Sequence, residues 1–581
     1  MASLNTSSFF HDPLLLSRDL HVEMPILVVG NVRLLLFSST SALLVSIAAA
    51  AVAAVFLRRD PLAAFPVIGE EWGDEKTRRE RFVTGAKQIY LDGYKKFKDG
   101  VYQITTVRRK YLLPVQGCCE PPANFDGGVE ESRTIVIAPK FLDELRKLPD
   151  DVVCNQCAAD ETLESRYTKL NTHEPLHGHV MKTLLTPGLR RLNPRISTTI
   201  TTAVHTALPS TSSWTPVNAN AALLHIVAAA TGAIGVGSPL CLDQQYLDVS
   251  VQYAASVMRA MAAASRVPSW CRRVVAPWLK EVRELDGFVR RVEGFMGKVI
   301  RERREREKEQ KEGGEGQEGE KKGGEKQERP EDMLQWTMDA AGRFGLDAEW
   351  KVVRAYLGFV FAAIHSTTVV ATNVLFNLAA MPEFTAELRE EIASVLARHD
   401  GVMTFQALQE MLKLDSFMKE TFRLYPLQFA NFQRKVLKPF ALSTGQIIPA
   451  NTVIEVPSMA ASLDPTVFPD AARFDPLRFY RLRTAAGADP SAHQFATVSE
   501  DALNFGWGRH ACPGRFFAAN EIKMVVAAVL LEWDVKMPEV KEGECVEAER
   551  EWEGRRWRNW EYGNFCFPVP TRELLFRKIE A

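Results

Sequence analysis

From residue 74 onward, apolar positions recur every three to four residues over long stretches, the spacing that gathers them on one face of a helix. Such segments lie at 76–97, 139–147, 180–185, 217–230, 244–264, 278–306, 330–341, 348–380, 382–399, 404–425 and 516–531. Alternating or β-branched runs that predict strands are fewer and shorter, at 100–106, 134–137, 452–456 and 564–568. The pattern predicts one large, mainly α unit with a small β region, and no internal repeat breaks it into modules. Before it stands a different pattern: residues 34–57 carry no charge and are dominated by Ala, Val and Leu. At about 1.5 Å per residue such a helix spans a hydrocarbon core of about 30 Å. A cleaved leader begins with a short basic region, whereas here the mixed segment 1–33 comes first, so a retained single-pass anchor is expected.

Charge sets the expected orientation of that anchor. Arg58 and Arg59 follow it directly, while Arg18 and Arg33 are balanced by Asp12, Asp19 and Glu23 ahead of it, which puts the C-terminal bulk on the cytosolic side. Asn5-Thr6-Ser7 is then a lumenal glycosylation sequon. Pro61, Pro66 and Gly69 read as a stiff hinge over 58–73, leading into the large domain over 74–581. Within that domain, 302–328 is almost wholly Arg, Lys, Glu, Gln and Gly. Its start extends a solvated helix and its glycines break it, so it reads as a disordered surface insertion.

Overall composition narrows the classes. With 581 residues, 46% hydrophobic content and a formal net charge of −1, the chain can bury a large core and has no nucleic-acid footprint. Nine cysteines are too few for a disulfide framework and read as thiols of a reducing compartment. Cys154-Asn155-Gln156-Cys157 has no second ligand pair at zinc spacing, and Cys118-Cys119 reads as incidental. His173, His177 and His179 lack a carboxylate at helical spacing and do not form a metal site on this pattern.

One cysteine stands apart. Phe505-Gly506-Trp507-Gly508-Arg509-His510-Ala511-Cys512-Pro513-Gly514-Arg515 sets Cys512 in a Gly-rich loop that runs into an apolar helix. The glycines let backbone N–H groups approach the sulfur, and the helix start adds partial positive charge beside a thiolate. Upstream, Glu420 and Arg423 sit one turn apart on a helix with apolar flanks, and Arg478 follows in the loop Phe474-Asp475-Pro476-Leu477-Arg478-Phe479. This ordered set resembles the cytochrome P450 family, in its ExxR helix, its Pro-x-Arg-Phe loop and its Phe-x-x-Gly-x-His-x-Cys-x-Gly haem loop.

The resemblance implies the triangular, mainly α P450 fold, preceded here by one N-terminal transmembrane helix. It implies haem b (iron protoporphyrin IX) with Cys512 as the axial ligand of the iron. Phe505, Gly508, His510 and Gly514 would surround the ligand. Glu420, Arg423 and Arg478 would form the structural triad beside it. Lys182, at the Arg position of the family's Trp-x-x-x-Arg helix, would meet a propionate, although Gly178 replaces the Trp; Arg434 or Lys435 is the second propionate partner. The family's oxygen-side helix corresponds to Ala362-Ala363-Ile364-His365-Ser366-Thr367, where His365 takes the acid slot and Ser366 the usual Thr slot. Thr367 serves instead if the register moves by one. Expected walls of the substrate pocket are Phe359, Ala362, Ala363, Leu427, Phe429, Phe432 and Phe565.

With no flavin or nicotinamide motif in the chain, the resemblance implies electrons from NADPH–cytochrome P450 reductase, with cytochrome b5 as an optional second donor. The implied setting is the endoplasmic reticulum membrane, with the catalytic domain cytosolic. The implied activity is monooxygenation of a lipophilic small molecule, resembling fungal microsomal enzymes that make terpenoids, indole-diterpenoids or polyketides. The altered His365-Ser366 pair leaves open a P450-fold isomerase or peroxygenase that needs no reductase, and a non-catalytic membrane haem-binding protein is a further alternative.

Overall fold

Asp74 starts the first long helix, α1 (Glu75–Lys96), by accepting the Thr77 N–H at 2.8 Å and so satisfying one of the amides a helix start leaves unpaired. The computed structural model describes residues 60–107, 133–312, 329–540 and 549–580. The Asn5 sequon, the lumenal segment 1–33, the expected anchor at 34–57, the Cys118-Cys119 pair and part 313–328 of the charged insertion lie outside these residues. The stretch ahead of α1 differs from its reading as a hinge. Leu62, Phe65 and Ile68 are buried, and the Ile68 and Gln103 N–H groups bond across to Gln103 and Pro66. Three apolar side chains at this spacing have more to gain in the core than in a linker, so the described part of 58–73 belongs to the catalytic unit.

After α1 come β1 (Val101–Thr105) and β2 (Arg133–Ile137), paired antiparallel. The short strand β3 (Val153–Cys154) leads into α2 (Asn155–Leu163). Cys154 and Cys157 are joined as a disulfide across the first turn of α2, Cα atoms 5.4 Å apart, where the sparse cysteines read as separate thiols. Next, α3 (Leu176–Val180) continues through one π-helical turn, Met181–Leu185, into α4 (Thr186–Ala207). Periodicity alone picks out only 180–185 of this run. Pro187 and Pro194 hide the remainder: the first follows directly on the π-helical turn and the second lies inside α4, and a proline is a poor helix signal at either place.

The strand β4 (Thr215–Asn218) precedes α5 (Ala219–Gly235), which is capped by the Asn218 side chain. Then follow α6 (Gln244–Arg266), the short α7 (Ser269–Val275) and α8 (Lys280–Glu312). The start of the charged insertion continues α8 to residue 312, as its reading as the extension of a solvated helix expected; glutamate and arginine are good helix formers. After α9 (Met333–Ala341) comes α10 (Glu349–Ala380), a helix long and apolar enough to cross a membrane. Two thirds of its most apolar window is buried, and it is the central core helix, packed on α5, α6 and α8 within the main hydrophobic cluster.

Next come α11 (Pro382–Ala397), α12 (Phe405–Glu410) and α13 (Leu412–Leu424); the last two replace a single expected helix over 404–425. The strands β5 (Asn431–Val436) and β6 (Val453–Val456) complete a five-stranded sheet in the order β1-β2-β6-β5-β3, with β2 and β6 parallel. Beyond α14 (Arg478–Thr484) and α15 (Arg515–Glu532), β7 (Trp533–Lys536), the hairpin β8 (Asn559–Tyr562) and β9 (Phe565–Pro568), and β10 (Glu573–Lys578) close the chain. A second sheet runs β4-β10-β7. Helices dominate and the sheets are small, so the mainly α expectation with a small β region holds.

Candidate active site

The loop before α15 is built to present one sulfur. Gly506 and Gly508 take φ of 74° and 70°, a region side chains disfavour, and this lets the chain double back so that the Cys512 N–H donates to the Phe505 carbonyl at 2.7 Å. Gly514 follows where a Cβ would come within 2.6 Å of Met181 Cε, so the loop and the π-helical turn pack closely. Burial pushes the Cys512 thiol up, while the Gly514 N–H, the Arg515 guanidinium and the Arg515 N–H all pull it back. Phe505 is wedged edge-on against Phe422 and Phe495, ring centroids 5.3 and 5.4 Å away.

Cys512 opens on a cavity of about 320 Å³. On its side lie Phe505, Gly506, Trp507 and His510; across from it α10 supplies Ser366, Thr367 and Val370; Leu427, Phe432 and Arg434 close the edge. Sulfur and hydroxyl walls therefore face one slot.

The edge is cationic. A register shift in β5 between Asn431 and Arg434, with Phe432 at φ 55°, turns Arg434 toward the cavity. Its guanidinium lies 4.0 Å above the Phe432 ring and donates to Asn155 Oδ1 at 2.7 Å. Burial brings its pKa down to about 10. The neighbouring Lys435 is already committed to Glu161 at 2.6 Å, so of the two expected partners Arg434 is the one that lines the slot. Trp507 adds a buried indole N–H with no hydrogen-bond partner among the described residues. His510 lines the cavity too, but its Nε2 meets Asp150 at 2.8 Å, and Arg509 takes the same carboxylate. Burial lowers the His510 pKa against the pull of that carboxylate.

These features fit the flat dianionic macrocycle that the family resemblance implies. A single cysteine sulfur lines the slot, and a buried guanidinium and an orphaned indole N–H line it too, in place for carboxylates. Lys182 does not join them. It is exposed on the π-helical turn and off the cavity wall, because Met181 takes the buried face against Gly514.

Behind the loop, the expected triad is assembled. Glu420 is fully buried and accepts Arg423 Nε and Nη2 at 2.8 and 2.7 Å and Arg478 Nε at 3.2 Å. Both guanidiniums spend their remaining donors on loop carbonyls: Arg423 on Ser462 and Ala471, Arg478 on Pro469, Asp470 and Arg473. A buried ion cluster persists only with its hydrogen bonds filled, and here the fillers are the loop backbone itself. The triad thus fixes the segment 462–473 that leads into α14.

On the oxygen side the three expected residues separate. His365 is off the cavity wall: it lies beside the Val251 backbone of α6, its Nε2 is buried without a partner among the described residues, and burial lowers its pKa. The helical turn that carries Ser366 and Thr367 to the cavity necessarily turns His365 toward α6. Ser366 reaches the slot but returns its hydroxyl to the Ala362 carbonyl at 2.7 Å. Thr367 lines the slot and its hydroxyl lies near the buried carboxyl of Glu521.

Of the expected walls, Leu427 and Phe432 line this cavity, whereas Phe359, Ala362, Ala363, Phe429 and Phe565 do not. Phe359 packs on Tyr356, and Phe565 stacks on Phe567. Three further residues emerge only from the fold: Trp507, present in the loop motif without a role assigned; Asn155, which orients Arg434; and Glu521. The three histidines at 173, 177 and 179 disperse to Asp160, the Ala355 carbonyl and the Phe344 ring.

Comparison with known proteins gives a consistent answer. A family model described as Cytochrome P450 matches residues 161–549. The chain is 32% identical over 455 residues to the cytochrome P450 monooxygenase ATR3 of Stachybotrys chlorohalonatus, covering 78% of this chain and 90% of that protein. It is 30% identical over 528 residues to cytochrome P450 monooxygenase 151 of Postia placenta, covering 90% and 95%. To the cytochrome P450 monooxygenase olcJ of Penicillium canescens it is 30% identical over 478 residues, covering 81% and 83%.

Proposed function

The chain belongs to the cytochrome P450 family of haem b monooxygenases, and from that membership we propose that it oxidises a lipophilic small molecule of fungal secondary metabolism. The substrate class is a terpenoid, an indole-diterpenoid or a polyketide, and the electrons come from NADPH through NADPH–cytochrome P450 reductase, with cytochrome b5 as an optional donor. The observation that carries this reading is the single slot in which the Cys512 sulfur faces the Ser366 and Thr367 wall, with Arg434 at its edge. Haem, when bound, supplies the dioxygen chemistry. The chain's residues do the rest. Cys512 is held by backbone N–H groups, Arg434 and Trp507 receive carboxylates, and Val370, Leu427 and Phe432 present apolar surface that keeps water from the reacting centre.

The proposed site of action is the cytosolic face of the endoplasmic reticulum, reached through the 34–57 anchor. A surface feature supports contact with a membrane. Trp270, Val274 and Trp278, 77%, 71% and 74% exposed, gather on and just after α7, beside Arg273 and Lys280. Exposed tryptophans flanked by cations suit the headgroup region of a bilayer.

The test uses the full-length chain in vesicles with purified reductase. Lipophilic metabolites of the three classes are scanned for spin-state shifts of the haem, and binders are then assayed for NADPH-dependent products that gain oxygen. Product formed with peroxide alone and indifferent to NADPH would replace this reading with a reductase-independent one. Spin-state shifts without NADPH consumption would leave a haem-binding protein without turnover.

A further inference from the structure

The pair in Cys154-Asn155-Gln156-Cys157 has no part in the chemistry above, yet it stands where β3 enters α2, at the edge of the cavity. Cys154 is the N-cap of α2: its Sγ accepts the Cys157 N–H at 3.1 Å, and the two sulfurs are bonded with their Cα atoms 5.4 Å apart. The two ends of the bridge differ in access. Cys154 is 3% exposed and lies in the edge strand β3, whereas Cys157 is half-buried on the first turn of the helix. The other cysteines among the described residues, Cys241, Cys271, Cys512 and Cys566, are free thiols. One bridge among free thiols, in a domain proposed above to be cytosolic, is no structural framework; disulfides in that compartment are mostly transient and redox-sensing. What the bridge encloses gives it a consequence. Asn155, between the sulfurs, accepts Arg434 Nη1 at 2.7 Å and itself lines the cavity. Cys154 lies opposite Lys435 in the β3–β5 pairing, and Lys435 returns to α2 through Glu161 at 2.6 Å. The first turn of α2 and the part of β5 that carries Arg434 are thus tied together, and the bridge closes that turn.

We propose that Cys154 and Cys157 form a thiol–disulfide exchange site for a low-molecular-weight thiol of the glutathione class, and that its state sets how firmly Arg434 is held at the cavity edge. The exchange stands on its own; its effect on haem rests on the reading of the site given above.

The step balances with that thiol as the reagent. Its thiolate attacks the accessible Cys157 Sγ; the S–S bond breaks and the electron pair leaves on Cys154 Sγ. Cys154 is the better leaving group, because the Cys157 N–H and the start of α2 stabilise its thiolate. A second reagent thiolate attacks the mixed disulfide at the sulfur of the first and frees Cys157 as a thiolate, and both protein sulfurs take up protons from water. Two reagent thiols are oxidised to their disulfide as the protein disulfide is reduced to two thiols. The reverse exchange, with the reagent's disulfide as oxidant, restores the bridge. With the bridge open, the turn bearing Asn155 loses its covalent closure and holds Arg434 less firmly.

The test takes the full-length protein with haem in vesicles, equilibrates it with glutathione and glutathione disulfide over a range of ratios, then quenches with acid and alkylates. Mass spectrometry of the peptide spanning 154–157 is expected to show both cysteines converting together, with a midpoint inside the ratios a cytosol spans. Cys154→Ser collects one glutathione on Cys157, and Cys157→Ser leaves the buried Cys154 largely unmodified. Haem transfer to an acceptor protein, followed on the same samples, is about tenfold faster from the reduced form, the lower end of what losing a charged hydrogen bond gives. Asn155→Ala and the double variant Cys154→Ser/Cys157→Ser transfer at the fast rate and ignore the glutathione ratio. A pair that stays wholly oxidised or wholly reduced at every ratio, or a wild-type transfer rate indifferent to its state, overturns the inference. If the double variant does not fold, the wild-type titration and its transfer rates decide alone. A wild-type protein lacking a thiolate-type carbonyl spectrum overturns the underlying reading of the site instead, and the exchange, read by mass, is told apart from that failure.

Discussion

At the residue scale, the strongest commitments are buried charges held by backbone. Glu420 has two guanidiniums and the Asp475 N–H on one carboxylate. Replacing it by Gln leaves two buried cations short of a counter-charge, which costs about 3–5 kcal/mol. Chemical denaturation of Glu420→Gln should show a loss of that size, with faster release of haem, while a surface pair such as Lys280–Glu284 should register almost nothing on mutation. Glu521 makes an opposite commitment, to the neutral form. Its folded pKa is raised above the ordinary carboxyl value, so the folded state binds a proton that the unfolded chain has released, and this contribution to stability falls as pH rises from about 4.5 to about 8. Thermal unfolding across that window should find Glu521→Gln gaining on wild type toward pH 8 and converging with it near pH 5. Cys512 and the triad were legible in the sequence because their signals are local and ordered. Trp507, Asn155 and Glu521 were not, since their roles depend on which side chains other elements bring against them.

At the element scale, legibility followed the continuity of the apolar stripe. The helices α1, α6 and α10 lie within two or three residues of their periodic segments because nothing interrupts them. In α4, prolines and a run of threonines mask the stripe, yet Thr198, Thr199, Thr202 and Thr206 each donate to the carbonyl four residues back and so settle into the helix. In β5 the sequence Asn-Phe-Gln-Arg-Lys-Val alternates poorly, and the irregular register that defeats the pattern is what aims Arg434 at the cavity. Arg434→Leu keeps much of the side chain's volume and removes the charge. A charged hydrogen bond is worth about 1.5–3 kcal/mol, so haem transfer to an acceptor protein should report retention weakened by roughly ten- to a hundredfold. Unchanged retention would remove Arg434 from the propionate edge.

At the scale of the whole molecule, the described residues from Asp60 form one catalytic unit whose buried centre is α10, with the cysteine loop on one side of the cavity and the α10 hydroxyls on the other. The proposed membrane contact belongs at this scale. Trp270→Ser with Trp278→Ser should sharply reduce quenching of protein fluorescence by bromolipids in vesicles, with haem content unchanged; equal quenching would place that surface in water. The carbon monoxide difference spectrum of the reduced full-length protein bears most directly on Cys512 as the haem ligand. Wild type should give the red-shifted Soret band of a thiolate-ligated haem, and Cys512→Ser should lose that band while its helical circular dichroism persists. A red-shifted band that survived in Cys512→Ser would contradict the assignment of the site.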